Sequence, residues 1–167
     1  MTSRQISYSI PADFIWSHAS LTLAEMACGF REGWVDRDAV ISWAVLQSRQ
    51  GVNDPKIEEL AGLLADEKSR VDSILARVKV ECTSPENQAK WLYLVLAWLY
   101  ENRAAIPSVL DVIEMIYSDF DYPSVMEPFV PYMPPPPNSE PSESGLISRW
   151  RSYLEDCRRK YLKNADE

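Results

Sequence analysis

The residues best suited to chemistry stand together near position 120. Asp119 and Asp121 are two positions apart, flanked by Tyr117 and Tyr122. Two carboxylates at that spacing can help hold a divalent cation, or divide general-acid and general-base work between them. A cation site asks for more oxygens than two side chains supply, and Glu114, five residues before Asp119, falls on a different side of a helix. The same residues also read as a binding face, with tyrosines offering rigid contact area and carboxylates meeting a basic partner. Elsewhere the chemistry is sparse. The one histidine, His18, lies in W-S-H-A-S without a second ligand at metal spacing, and reads as a capping or surface residue. There is no glycine-rich phosphate loop and no H-E-x-x-H. Cys28, Cys82 and Cys157 are far apart, odd in number and free of C-x-x-C spacing, which predicts free, mostly core thiols in a reducing cytoplasm. The expectation is a binding protein with no catalytic residues, metal or cofactor.

Charge points to the same place. The 167 residues carry a net charge of −8, with a pI near 4.7. Residues 1–100 hold 10 basic and 13 acidic side chains, residues 101–143 one and eight, and residues 144–167 six and four. The middle segment is therefore −7, against −3 before it and +2 after it. An acidic chain of this kind is a poor ligand for nucleic acid or an anionic membrane, and suits a basic protein partner. Its longest apolar stretch, Trp91 to Tyr100, falls short of the roughly 20 residues that span a bilayer. The N-terminus lacks the apolar run of a signal peptide.

The elements that must position the acidic segment are predicted to be helices in one domain. Residues 1–19 read as an extended arm, with Ile6, Tyr8 and Ile10 alternating before Pro11. Thr22-Leu23-Ala24-Glu25 is a capping box opening a helix over about 22–31, which stops near Gly33. Asp36 caps a helix over 37–50, closed by Gly51. Asp54-Pro55 and Ser84-Pro85 each start another, and Val71, Ile74, Leu75 and Val78 mark one between them. The helix over 85–102 is apolar almost all round, which places it at the centre. Ser108-x-x-Asp111 reads as a weak capping box for the helix of Val109, Val112, Ile113, Ile116 and Phe120. A short helical turn over 124–127 and a stiff, mostly polyproline-II connector over 131–145 follow. A final helix over 145–163 carries an apolar stripe, and its Arg158, Arg159, Lys160 and Lys163 suit the negative end of the helix dipole. Trp34, in the turn after Gly33, is open between core plug and partner contact. The predicted architecture is all-α: six to eight helices around Trp91–Tyr100, with an extended N-terminal arm.

The run I-Y-S-D-F-D-Y-P-S-V-M-E-P-F-V-P-Y-M-P, Ile116 to Pro134, resembles the C-terminal hallmark of a small bacterial family long known only as a domain of unknown function. L-x-x-A-E-M-A-C-G-F from Leu21, Gly33-Trp34 and K-W-L-Y-L-V-L-A-W-L-Y-E-N from Lys90 agree with it, so the likeness covers about residues 14–135. Members of that family resemble immunity proteins of polymorphic-toxin and contact-dependent growth inhibition systems. The resemblance implies a cytoplasmic antidote that binds the C-terminal toxin domain of an effector, with a nuclease as the expected toxin class and an RNA-cutting domain of the EndoU type as its first candidate. Candidate contacts are Asp111, Glu114, Asp119, Asp121 and Glu127, with Tyr117, Tyr122 and Tyr132 as anchors. Two other readings stay open: a metal-dependent enzyme built on Asp119 and Asp121, and a helical adaptor whose segment Pro131 to Pro141 is read by a polyproline-binding partner.

Overall fold

The computed structural model describes residues 9–134, 137–138 and 142–165, the side chains of 162–165 excepted. Among the described residues the fold is all-α, without a strand. The helices are α1 (Ala12–His18), α2 (Leu23–Glu32), α3 (Arg37–Arg49), α4 (Pro55–Ala61), α5 (Arg70–Ala76), α6 (Pro85–Glu101), α7 (Val109–Asp119) and α8 (Glu143–Ala165). Short 3-10 segments occupy Ala65–Glu67, Arg103–Ala105 and Ser124–Phe129. The chain divides into two compact units, and the boundary falls inside α6, between Trp91 and Leu92.

In the first unit, the helix starts follow the polar residues that the sequence marks. Thr22 Oγ1 accepts from the Glu25 amide at 3.1 Å while the Glu25 carboxylate accepts from the Thr22 amide at 2.9 Å, completing the capping box of α2. Asp36 accepts from the Ala39 amide at the start of α3, and Asp54 from the Lys56 amide at the start of α4. Burial pushes the Asp36 carboxyl up, but the bonds from Ser9 and from the α3 amide outweigh it and hold the group below its usual range. α3 packs on α1 and α4.

One face of α2 fixes the rest of this unit. Gly29 carries no side chain, and the Trp91 ring fills that space: a Cβ at Gly29 would lie 2.1 Å from Trp91 Cζ2. The Trp91 indole N–H donates to the Glu25 carbonyl at 2.8 Å. Lys90 Nζ pairs with the Glu25 carboxylate at 2.8 Å and donates to the Ser20 carbonyl. Trp34 is buried against Trp91, with ring centroids 5.2 Å apart, which resolves it as a core residue. Its carbonyl accepts from the Ile10 amide, and its own amide donates to Gly29.

Four expectations need correction. The extended arm over 1–19 does not hold across its second half, because residues 12–18 form α1. Pro11 is the residue before a helix rather than the end of a strand, and Ala12 and Ile15 turn the same way into the core. Ile6 and Tyr8 lie outside the described residues. The thiols are not all free: Cys28 and Cys82 form a disulfide, their Cα atoms 5.4 Å apart. Linear spacing gave no sign of it, because the fold brings α2 against the turn before α6; Cys157 remains free. Ser108 does not cap α7; it sits at φ 53° and makes no side-chain cap bond. The connector departs from polyproline-II at Asn138, which is left-handed at φ 65°, and α8 begins two residues early. Pro135, Pro136 and residues 139–141 lie outside the described residues.

In the second unit α6 is buried without a break from Leu92 to Ala97, as its all-round apolar character requires. α8 packs on the 3-10 segment 124–129, where Arg149 donates to the Pro128 carbonyl and Tyr153 meets Phe129 at 5.4 Å. Trp150 is fully buried, edge-on to Tyr100.

Gly29→Ala is expected to cost at least about 1–3 kcal/mol, since the added methyl overlaps a ring held by its own hydrogen bond; chemical denaturation measures it, and an unchanged midpoint refutes the packing. Opening the disulfide releases a loop closed over 54 positions. That is worth about 2–4 kcal/mol, so dithiothreitol should lower the melting temperature by roughly 5–15 °C. A thiol titration finding three free cysteines in the unreduced protein would overturn the crosslink.

Candidate functional site

The acidic segment is built on the end of α7. Ile113 and Ile116 are buried, as their stripe predicts, and Tyr117 joins them at 5% exposure. After Phe120 the backbone reverses. Asp121 and Tyr122 both take left-handed conformations, at φ 60° and 56°. The Tyr122 amide donates to the Tyr117 carbonyl at 2.8 Å and the Asp121 amide to the Ser118 carbonyl at 3.1 Å. This is a Schellman cap, in which the two residues past the helix satisfy its last free carbonyls. The hydrophobic contact that commonly accompanies the motif is present: the Tyr122 ring meets Tyr117 at 5.2 Å, at 84°. Pro123 follows and prevents the helix from resuming.

The reversal places an aromatic cluster at the surface. Tyr132 returns to Tyr117 with centroids 6.0 Å apart and planes at 58°. Tyr122 is 58% exposed, Tyr132 57% and Val125 51%, whereas Tyr117 forms the floor. Local desolvation first, then the neighbouring Tyr117 and Tyr122 and the Glu114 carboxylate, raise the Tyr132 hydroxyl above the usual phenol range. Tyr117, Tyr122 and Tyr132 are thus brought together, with Glu114 three positions before Tyr117 on α7. Asp111, Asp119, Asp121 and Glu127 are exposed on the same segment. Tyr117, one of the candidate anchors, is itself buried beneath the other two rings.

None of Asp111, Glu114, Asp119, Asp121 and Glu127 makes an ion pair or a side-chain hydrogen bond with a described residue. The first unit treats its carboxylates differently. Glu25 pairs with Lys90, Asp38 with Lys68 and Asp72 with Arg37, and Glu59 and Glu67 share Arg70. Arg103, the one base within 101–143, lies over the Tyr100 ring at 3.9 Å and donates to the Tyr100 carbonyl. It serves that aromatic rather than the carboxylates.

Other places are less open. Among the described residues, no group of three or more His, Cys, Asp or Glu side chains is gathered that could hold a metal ion. His18 ends α1, its ring stacked on Phe14 and its Nδ1 2.7 Å from the Phe14 carbonyl oxygen, as a capping residue would be. A cavity of about 560 Å³ opens beside α1 and α3, but Asp36 and Asp38 on its rim are already engaged, by Ser9 and Lys68. No described helix is long and apolar enough to cross a membrane.

The Schellman cap is the feature that sequence reasoning missed. Its usual sign, a glycine just past the helix, is replaced by Asp121; Pro123 is the remaining signal. Asp121→Gly should therefore stabilise the protein by roughly 0.5–1 kcal/mol, and Asp121→Val should destabilise it by about 1–2 kcal/mol. Equal melting temperatures for the two variants would contradict the cap.

No curated protein and no solved structure matches the chain. A family profile does match, over residues 12–158, from α1 through most of α8 and so beyond the hallmark region. The chain belongs to the bacterial family described as an uncharacterized protein conserved in bacteria (DUF2247).

Proposed function

We propose that the chain is an immunity protein. It binds the C-terminal toxin domain of a contact-dependent inhibition effector in the bacterial cytoplasm and blocks it without chemistry of its own. The observation that carries this reading is the set of five carboxylates left without internal cations beside two exposed tyrosines. Glu25, Asp38, Glu59, Glu67 and Asp72 of the first unit each meet a base within the fold, whereas these five stay open, and a basic partner gives them a counter-charge. A nuclease is the toxin class that fits, because its phosphate-binding groove is basic and an acidic face can cover it. An EndoU-type ribonuclease is the first candidate. The run Ile116 to Pro134 resembles the hallmark of a bacterial family whose members resemble immunity proteins, and that resemblance supports the same reading.

The test is co-expression with the variable C-terminal domain of a large secreted protein encoded beside this gene. Co-purification and loss of toxicity are expected; a neighbouring toxin domain that neither binds nor is neutralised refutes the assignment. Charge complementarity acts mainly on encounter, so the association rate should fall roughly tenfold or more from low to high salt while dissociation changes little. The triple substitution Asp111→Asn, Asp119→Asn and Asp121→Asn should remove most of that salt dependence. An association rate indifferent to both salt and substitution would sink the electrostatic account.

A further inference from the structure

We infer that Tyr117, Tyr122, Tyr132 and Glu114 form a receptor for one arginine side chain of a basic protein partner. This rests on the reading of the acidic segment as a protein-binding face and gives it a chemical address. Tyr122 stands nearly perpendicular to Tyr117, and Tyr132 is inclined to Tyr117 at 58°, so each outer ring makes a corner with Tyr117 rather than a flat stack. The floor is buried and the two walls are more than half exposed, which leaves ring surface open to a visitor. A cation near such rings is attracted by their negative faces. Glu114 stands three positions before Tyr117 on α7, on the same helix face as the floor, and makes no ion pair with a described base. The corner therefore supplies aromatic surface and a carboxylate acceptor together.

That pairing favours guanidinium over ammonium. A planar guanidinium can stack on one ring while its N–H groups reach a carboxylate, whereas an ammonium is a compact, strongly hydrated point charge. The chain already uses this kind of contact internally, with the Arg103 guanidinium carbon 3.9 Å from the Tyr100 ring centroid. The corner is also held in advance of binding. The left-handed pair Asp121-Tyr122 and its two backbone hydrogen bonds fix where Tyr122 begins, so little ordering is required of the visitor's host. In a nuclease partner the arginine captured is one of those that would otherwise hold phosphate.

The experiment uses the full chain labelled with carbon-13 in the tyrosine rings. It is titrated with Nα-acetyl-arginine methylamide and, separately, with the lysine analogue, and ring resonances are assigned through Tyr122→Leu and Tyr132→Leu. Arginine should shift the Tyr122 and Tyr132 signals and bind about two- to fivefold more tightly than lysine, and Glu114→Gln should weaken it by a similar factor. Glu114 makes no side-chain hydrogen bond or ion pair with a described residue, and Gln keeps its shape, so that variant stays informative if the tyrosine variants unfold. Unmoved Tyr122 and Tyr132 signals, equal response to lysine, or indifference to Glu114→Gln would overturn the proposal. A toxin domain that binds a chain whose corner ignores arginine defeats only this inference; a corner that takes arginine in a chain with no basic partner defeats only the immunity reading.

Discussion

Trp91 reaches the Glu25 carbonyl because residue 29 has no side chain in the way. Much of the first unit depends on that contact. Glu25, Cys28 and Gly29 are spaced by three and four along α2 and so share one face. All three are committed to the beginning of α6 and the turn before it: Glu25 by an ion pair and a backbone acceptor, Cys28 by a covalent bond, Gly29 by close packing. Trp34 then closes over Trp91, and through its carbonyl it fixes Ile10. A single helix face of a few residues thus sets the entry to α6 and, through Trp34, the place of Ile10 just before α1.

The second unit solves a different problem, which is how to stop α7. A helix ending without glycine must put a side-chain-bearing residue into the left-handed region, at some cost. Here two successive residues take that conformation, and the contact between the Tyr122 and Tyr117 rings offsets the strain. The same solution leaves an aromatic ring outside the core at a place rich in carboxylates. Local helix termination and a surface suited to binding therefore have one structural cause. In that sense the hallmark run Ile116 to Pro134 serves both the fold and its exposed face.

The sequence made the helices legible where a polar residue and a periodic apolar stripe agree. Thr22 with Glu25, Asp36, Asp54-Pro55 and Ser84-Pro85 each stand at or next to the start of a helix in the structure. The buried run of α6 follows from its composition alone. What escaped was non-local or unusual. Nothing in linear spacing pairs Cys28 with Cys82, and a seven-residue helix such as α1 is too short to show a period. Ser108 looked like a cap by type, yet its left-handed backbone directs it elsewhere. At the candidate site the acidic and aromatic residues were evident by composition, but the inward turn of Tyr117 and the approach of Tyr132 from 15 positions later come only from the fold.

The Cys28–Cys82 crosslink also has a reciprocal side. Folding and bond formation close one thermodynamic cycle, so whatever free energy the crosslink lends the fold, the fold lends the crosslink. The folded chain is then the weaker oxidant and the unfolded chain the stronger. A thiol reductant draws first on molecules whose α2 has parted from the turn before α6, while intact molecules act as a reservoir of oxidised protein. In a reducing compartment the bond would report less on the surrounding thiols than on how often this unit opens, so its redox state becomes a clock for local unfolding.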